Sequence, residues 1–140
     1  MENKYKHLEM VQGVISRMAS NSFQLKGLCV TIAVAISALA VIRSNAIMYL
    51  LLLLPIISFW LMDAYYLHQE KLFRSLYDAV RVMENDKVDF SMETSQFKGT
   101  TPSLVKCIFF NWSTIGFYLP FAVIFIVLFL VAVYSASHGL

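Results

Sequence analysis

The stretch LCVTIAVAISALAVIRSNAIMYLLLLLPIISFWLM, residues 28–62, holds a single charge, Arg43, near its middle. Ser44-Asn45 reads as a turn, and the residues on both sides of it are apolar. About 20 apolar residues cross a bilayer once, so this stretch reads as two membrane helices joined by a very short loop. A third apolar run, residues 115–134, has no charge at all. The composition fits an integral membrane protein: 59% of residues are hydrophobic, only 14% are charged, and mean hydropathy is +0.66, against about 25% charged residues in soluble domains. A net charge of +2 gives no footing for nucleic-acid binding. Trp60, Tyr65 and Tyr66 edge one apolar run, and Trp112 and Tyr134 edge others, as expected of rings that favour the headgroup layer.

The pattern at Ala38-Leu39-Ala40 imitates a signal-peptide cleavage site. The polar segment before it is long and carries Glu2 and Glu9, whereas a signal n-region is short and basic, so the first apolar run is expected to be retained. Lys and Arg are enriched in cytoplasmic loops. Placing Arg43 outside leaves Lys4, Lys6, Arg17, Lys26, Lys71, Arg74, Arg81, Lys87, Lys98 and Lys106 inside. The expected location is a bacterial inner membrane, with the N-terminus and the central polar segment cytoplasmic and the C-terminus periplasmic.

Residues 4–24 read as an amphipathic helix with Leu8, Val11, Ile15 and Met18 on one face. Its polar face is mixed rather than Lys/Arg-rich, which favours packing on a partner helix over lying on the membrane surface. The first span, about 26–43, carries two stripes of small residues: Gly27, Thr31, Ala35 and Ala38, and then Ala33, Ser37 and Ala40. Small residues let backbones approach closely in lipid, so the Gly27–Thr31–Ala35–Ala38 stripe is the expected helix-packing face. The second span, about 46–63, contains the five-leucine run 50–54 and then Pro55, which should kink it. No Pro or Gly occurs from Asp63 to Glu84, and Glu70/Arg74, Arg74/Asp78 and Asp78/Arg81 have helix-supporting spacing. Phe73, Leu76, Tyr77, Val80 and Met83 make an apolar face. Residues 47–84 therefore read as one helix roughly 57 Å long at about 1.5 Å per residue, nearly half of it cytoplasmic.

Folding the chain at Ser44-Asn45 pairs residues whose numbers sum to about 89. Lys26 then meets Asp63 at the inner membrane boundary, Lys6 approaches Glu84, and Glu9 approaches Arg81. The expected fold is all-α: a long antiparallel helical hairpin within residues 1–84 that extends into the cytoplasm, plus a third transmembrane helix. Residues 85–101 read as a flexible cytoplasmic loop. Thr101 and Pro102 read as a helix N-cap and first turn. Residues 102–140 then give an interfacial segment, a break near 111–116 and a third span at about 114–135, kinked at Pro120. A fourth membrane helix is the alternative.

No catalytic constellation, cofactor motif or metal-ligand spacing stands out, so no catalytic, cofactor-binding or metal residues are assigned and the chain is not expected to be an enzyme. Cys29 and Cys107 are isolated and read as small buried apolar residues. His7, His68 and His138 are scattered. The polar span residues Thr31, Ser37, Ser58, Asn111, Ser113 and Thr114 could line a pore only in an oligomer, and otherwise bond their own helix carbonyls. Asp63, beside Trp60, Tyr65 and Tyr66, either gates a cytoplasmic mouth or is a helix-end charge paired with Lys26. The paired reading is the simpler.

Two segments carry a resemblance. One is His7-Leu8-Glu9-Met10-Val11-Gln12 with Arg17-Met18-Ala19-Ser20-Asn21-Ser22-Phe23, an amphipathic helix before two tightly spaced spans. The other is Asp63-Ala64-Tyr65-Tyr66-Leu67 with Glu70-Lys71-Leu72-Phe73-Arg74 after them. Over about residues 4–84 this layout resembles the small bacterial SLATT-type two-span effectors and the transmembrane effectors of some retrons. The resemblance is one of architecture. It implies a homo-oligomeric inner-membrane effector of anti-phage, abortive-infection defence, with a cytoplasmic protein or nucleoprotein partner and the lipid bilayer as its target. The other reading is a structural membrane subunit that docks a soluble partner through its cytoplasmic hairpin.

Overall fold

The structure is a computed structural model, and it describes residues 2–43 and 46–138. The described residues contain five α-helices and no strand. Three of the helical stretches are long and apolar enough to cross a membrane. The turn read at Ser44-Asn45 lies outside the described residues, as do the last two residues of the expected periplasmic tail.

Helix α1, Glu2–Arg43, runs 42 residues without a break. The amphipathic segment and the first span are thus one rod, roughly 63 Å long at about 1.5 Å per residue. Nothing in its sequence stops it, since it has no Pro and Gly13 and Gly27 are isolated. The inward positions step by four, three and four residues: His7, Val11, Val14, Met18, Ser22, Leu25, Cys29, Ala33, Ile36 and Ala40 are buried or half-buried. Eleven residues on, the same face returns (7, 18, 29, 40). That repeat of 3.67 residues per turn keeps one stripe facing a partner helix over the whole length. The stripe is centred one residue off the expected face: His7 is buried, while Leu8 is only half-buried.

Helices α2, Ile47–Leu51, and α3, Leu53–Val82, form the second arm. They are separated at Leu52 because Pro55 has no N–H to give to the Leu51 carbonyl. Helical bonds bridge the joint, from Leu52 N to the Met48 carbonyl at 3.2 Å and from Ile56 N to the Leu52 carbonyl at 3.4 Å. Pro55 therefore loosens the rod without ending it. The arm stops at Val82, where Met83 turns extended (ψ 149°).

The two arms pack antiparallel along their length. Lys4 Nζ donates to the Met83 carbonyl at 2.9 Å. Val11 and Ile15 pack on Leu76 and Val80. Further along, Cys29 and Ala33 pack with Leu52 and Ile56. Side-chain bonds that cross between the arms join residues whose numbers sum to 85–89 (Ser22 with Asp63, Lys4 with Met83, Lys26 with Asp63), so one register holds between them.

Single 3₁₀ turns at Asn85–Lys87 and Ser95–Phe97 shape the segment after α3. This segment, read as a flexible loop, is seated on the hairpin: Met92 and Phe97 pack on the Val11/Leu76 cluster. Short-range bonds also hold it, from Ser91 N to Asp89 Oδ1 at 2.9 Å and from Ser95 Oγ to Glu93 Oε1 at 2.5 Å. Phe90 takes a left-handed φ of 58°, an unfavourable region for a bulky residue, and its ring rests 5.6 Å from that of His7.

Helix α4, Leu104–Phe109, is capped by Ser103, not Thr101. The Thr101 hydroxyl instead donates to the Phe97 carbonyl at 2.9 Å. Because Ser103 follows Pro102, its extended backbone presents the hydroxyl to the Lys106 N–H. The bend lies at Phe110 and Asn111. There the Asn111 side chain accepts from Ser113 N at 2.9 Å and opens α5, Trp112–His138. Gly116, inside the expected break, lies within α5, and α5 passes through Pro120 without interruption. Tyr118 and Phe125 of α5 complete the core with Cys29, Ala33, Leu52 and Ile56.

Candidate functional site

The only charged side chain buried in the described core is Asp63, 0% exposed, at the level where α1, α3 and α5 converge. Its partners come from α1. Lys26 Nζ lies 2.5 Å from Asp63 Oδ2 and 3.0 Å from Ser22 Oγ, and the Ser22 hydroxyl donates to Asp63 Oδ1. Ser22 and Lys26 are one helical turn apart, so they present both donors to one carboxylate. Both oxygens of Asp63 are thereby occupied, as a buried carboxylate requires. The Lys26 side chain remains 17% exposed and reaches a cavity of about 290 Å³ bordered by Phe23, Leu67, Glu70 and Ser113.

Helix α5 closes the third side. Tyr118 is fully buried and stacks on Trp60, with centroids 6.2 Å apart. Its hydroxyl sits beside the Asp63 carboxylate without a hydrogen bond of standard geometry. Phe117 lies 6.0 Å from Lys26 Nζ, within cation–π range. Trp60 Nε1–H donates to the Ile108 carbonyl at 3.1 Å, tying α3 to α4. Thr114 Oγ1 donates to the Cys107 carbonyl at 2.7 Å and joins α4 to α5. Ser22 follows from the same hairpin register as Lys26, one helical turn away, but the spacing alone does not single it out. The approach of Tyr118 depends on the path of α4 and α5, which periodicity does not encode.

The other expected hairpin pairs are not formed. Lys6 binds Glu2 at 2.6 Å, Glu84 binds Lys87 at 2.7 Å, and Arg81 lies 3.6 Å from Asp78. Glu9 has no ion pair with Arg81 among the described residues. These side chains are exposed, so each takes the neighbour on its own chain segment that costs least side-chain entropy.

The Gly27–Thr31–Ala35–Ala38 stripe does not pack within the chain. All four residues are exposed, and a Cβ placed on Gly27 would meet nothing within 4 Å. The hairpin is closed instead by the adjoining stripe of Cys29, Ala33 and Ala40. Hydroxyls in the apolar stretches bond their own helix: Thr31 to the Gly27 carbonyl at 3.0 Å, Ser37 to Ala33 at 2.6 Å and Ser58 to Leu54 at 2.9 Å.

No family model, curated protein or solved structure matches this chain.

A second polar feature lies at the far end of the hairpin. His7 is 1% exposed, and its Nε2–H donates to the Ser91 carbonyl at 3.0 Å. His68 Nδ1–H similarly donates to the Pro102 carbonyl at 3.0 Å. Two histidines that looked scattered in sequence thus tie the inside of the 85–101 segment, at Ser91, and the residue that follows it, Pro102, to the hairpin. Cys29 and Cys107 are buried and unpaired with one another. Burial pushes the Cys107 thiol above its ordinary value, and Lys71 partly offsets this. Among the described residues, no group of three His, Cys, Asp or Glu side chains is placed to hold a metal ion.

Proposed function

We propose that this chain is a non-enzymatic inner-membrane effector of a bacterial anti-phage, abortive-infection system. It oligomerises and permeabilises the membrane when a cytoplasmic protein or nucleoprotein trigger reaches its hairpin. The observation that carries this reading is the continuity of α1 through the Lys26–Asp63 level. A helix without a break passes displacement at the Lys4–Met83 end directly to the apolar half.

The membrane placement rests on geometry. With Lys26 and Asp63 at the inner boundary, residues 26–43 rise roughly 27 Å at about 1.5 Å per residue, close to the hydrocarbon thickness of about 30 Å. The N-terminus and residues 64–101 then lie in the cytoplasm, the segment from 102 to about 112 lies at the interface, and the C-terminus lies in the periplasm. Phe109, Phe110 and Trp112, all strongly exposed, fall at the headgroup level, where such rings are favoured.

Self-association has an available surface. The outward Gly27–Thr31–Ala35–Ala38 stripe offers the small-residue face that membrane helices use for close packing. Since the span hydroxyls are engaged with their own carbonyls, a hydroxyl-lined conduction path is disfavoured, and the leak is assigned to disruption of lipid packing around an oligomer.

The reading of a structural subunit that docks a soluble protein has one observation in its favour. Tyr5, Met10 and Val82 are exposed apolar side chains on the cytoplasmic half. Controlled expression separates the two. Collapse of membrane potential with growth arrest supports the effector; healthy cells with normal potential, even with the natural trigger supplied, overturn it.

A further inference from the structure

We propose that α4 and the bend after it form a hook that enters the cytoplasmic leaflet of the bilayer as a lipid-contacting wedge. The depth assigned to the hook rests on the membrane placement given above and not on the effector reading. Two hydrogen bonds set that depth. His68 of α3 donates to the Pro102 carbonyl at 3.0 Å, and Trp60 of α3 donates to the Ile108 carbonyl at 3.1 Å. The step from His68 to Trp60 leads along α3 toward its apolar half, by about 12 Å at about 1.5 Å per residue. Helix α4 therefore runs beside α3 toward the membrane and ends at the level of Trp60, nearly one turn past Asp63 on the apolar side. The chain then turns back. Ser113 borders the same cavity as Leu67 and Glu70, about two turns of α3 nearer the polar half. From there α5 descends, until Tyr118 stacks on Trp60.

The tip of the hook is apolar and uncovered. Phe109 is 55% exposed and Phe110 84%, with Leu104, Val105 and Trp112 exposed on either side. Three observations favour lipid as what covers it. The first is continuity: α5 starts two residues after Phe110 and is itself long and apolar enough to cross a membrane. The second is the backbone of the turn, which is bonded internally, as surroundings poor in water demand. The Thr114 hydroxyl donates to the Cys107 carbonyl at 2.7 Å, Phe110 N–H to the Lys106 carbonyl at 2.9 Å, and Ile115 N–H to the Asn111 carbonyl at 2.9 Å. The third is charge. No Asp or Glu occurs between Glu93 and Leu140, so no carboxylate of this segment is repelled by lipid phosphates. The exposed Lys106 is drawn to them. Phe109 and Phe110 then reach the lower edge of the headgroup layer, where interfacial apolar faces settle about 5–10 Å deep. A wedge in one leaflet alone spreads its headgroups, and the Trp60 bond ties that wedge to the helix that carries Asp63.

The test is depth-dependent fluorescence quenching in the full chain. A bimane probe is attached at Phe110→Cys, Val127→Cys or Tyr5→Cys, one at a time, in a Cys29→Ala/Cys107→Ala background reconstituted in phosphatidylcholine vesicles. The lipid carries bromine either near the glycerol end or near the methyl end of its acyl chains. Val127, exposed on α5, reports whether the span itself is inserted, and the probe there is expected to be quenched more by methyl-end bromine. The probe at position 110 is expected to be quenched about twofold more by glycerol-end than by methyl-end bromine, as an interfacial depth requires. The probe at position 5 should be quenched by neither. Quenching at position 127 with none at position 110, or with methyl-end bromine dominant at 110, overturns the hook while leaving the membrane placement standing. No lipid quenching at position 127 overturns the membrane placement and the hook with it.

Discussion

Removing the Asp63 carboxylate leaves the Lys26 ammonium and the Ser22 hydroxyl facing an apolar core without their acceptor. Breaking a buried pair from one side costs about 3–5 kcal/mol, whereas replacing both partners by apolar residues of similar volume is often close to neutral. Asp63→Ala is therefore expected to destabilise by about 3 kcal/mol, at the lower end because Lys26 keeps some access to solvent. Lys26→Met/Asp63→Leu should recover most of that loss, as read from detergent-solubilised unfolding curves in a double-mutant cycle. Equal loss in the single and double variants would mean that Asp63 matters for shape and not for charge. Cys107 makes a separate prediction. It is fully buried and its thiol is pushed up, so it should resist a small maleimide in the folded protein and react only after unfolding. Residue-level reading of the sequence found the Lys26–Asp63 pair because a short turn sets the register and a buried charge has few choices of partner. It misplaced Lys6, Glu84, Glu9 and Arg81, because exposed charges are governed by local entropy and screening, to which register is nearly irrelevant.

At the scale of elements, the antiparallel relation of the two arms was legible, since hydrophobic spacing and the lack of breakers speak to it; the reading of separate helices over 4–24 and 26–43 gives way to the single α1, Glu2–Arg43, and the helix read over 47–84 is parted at Leu52. The seating of the 85–101 segment was not legible. It depends on a bond between residues 84 positions apart, from His7 to the Ser91 carbonyl, and on Met92 and Phe97 finding a surface that exists only once the hairpin has formed. The His7 signal was nonetheless present: four residues before Val11 and seven before Val14, it shares their face. His7→Phe should keep the apolar packing while releasing the segment. Hydrogen exchange is expected to rise at the amides of residues 91–97 and to stay unchanged along 11–18 of α1. If protection over 91–97 persists, the segment is held by Met92 and Phe97 alone. The outward stripe of α1 gives a second element-level expectation. Gly27→Leu meets open space, so it should leave the unfolding curve of the monomer in place while lowering chemical crosslinking between copies in membranes. Unaltered crosslinking would assign self-association to another face, with α5 the next surface to examine.

For the whole molecule, the hairpin is a continuous connection between a polar half and an apolar half, with one buried charge pair where they meet. Its apolar half exposes Val34, Leu39, Val41, Leu50 and Leu54, and α5 adds Val123, Ile126 and Leu130, a surface that only lipid or other apolar helices can cover. We propose that the membrane boundary crosses this rod near Lys26 and Asp63. Spin-label accessibility in bilayers tests it most directly, with nitroxides placed one at a time at the exposed α1 positions Tyr5, Met10, Phe23, Val34 and Leu39. With the boundary there, the labels at Tyr5 and Met10 are expected to be relaxed by a water-soluble nickel chelate, the label at Phe23 to mark the crossover, and those at Val34 and Leu39 to respond to oxygen dissolved in the lipid and not to the chelate. Equal access of the chelate to all five positions, or a lipid-type response at Met10, would contradict it.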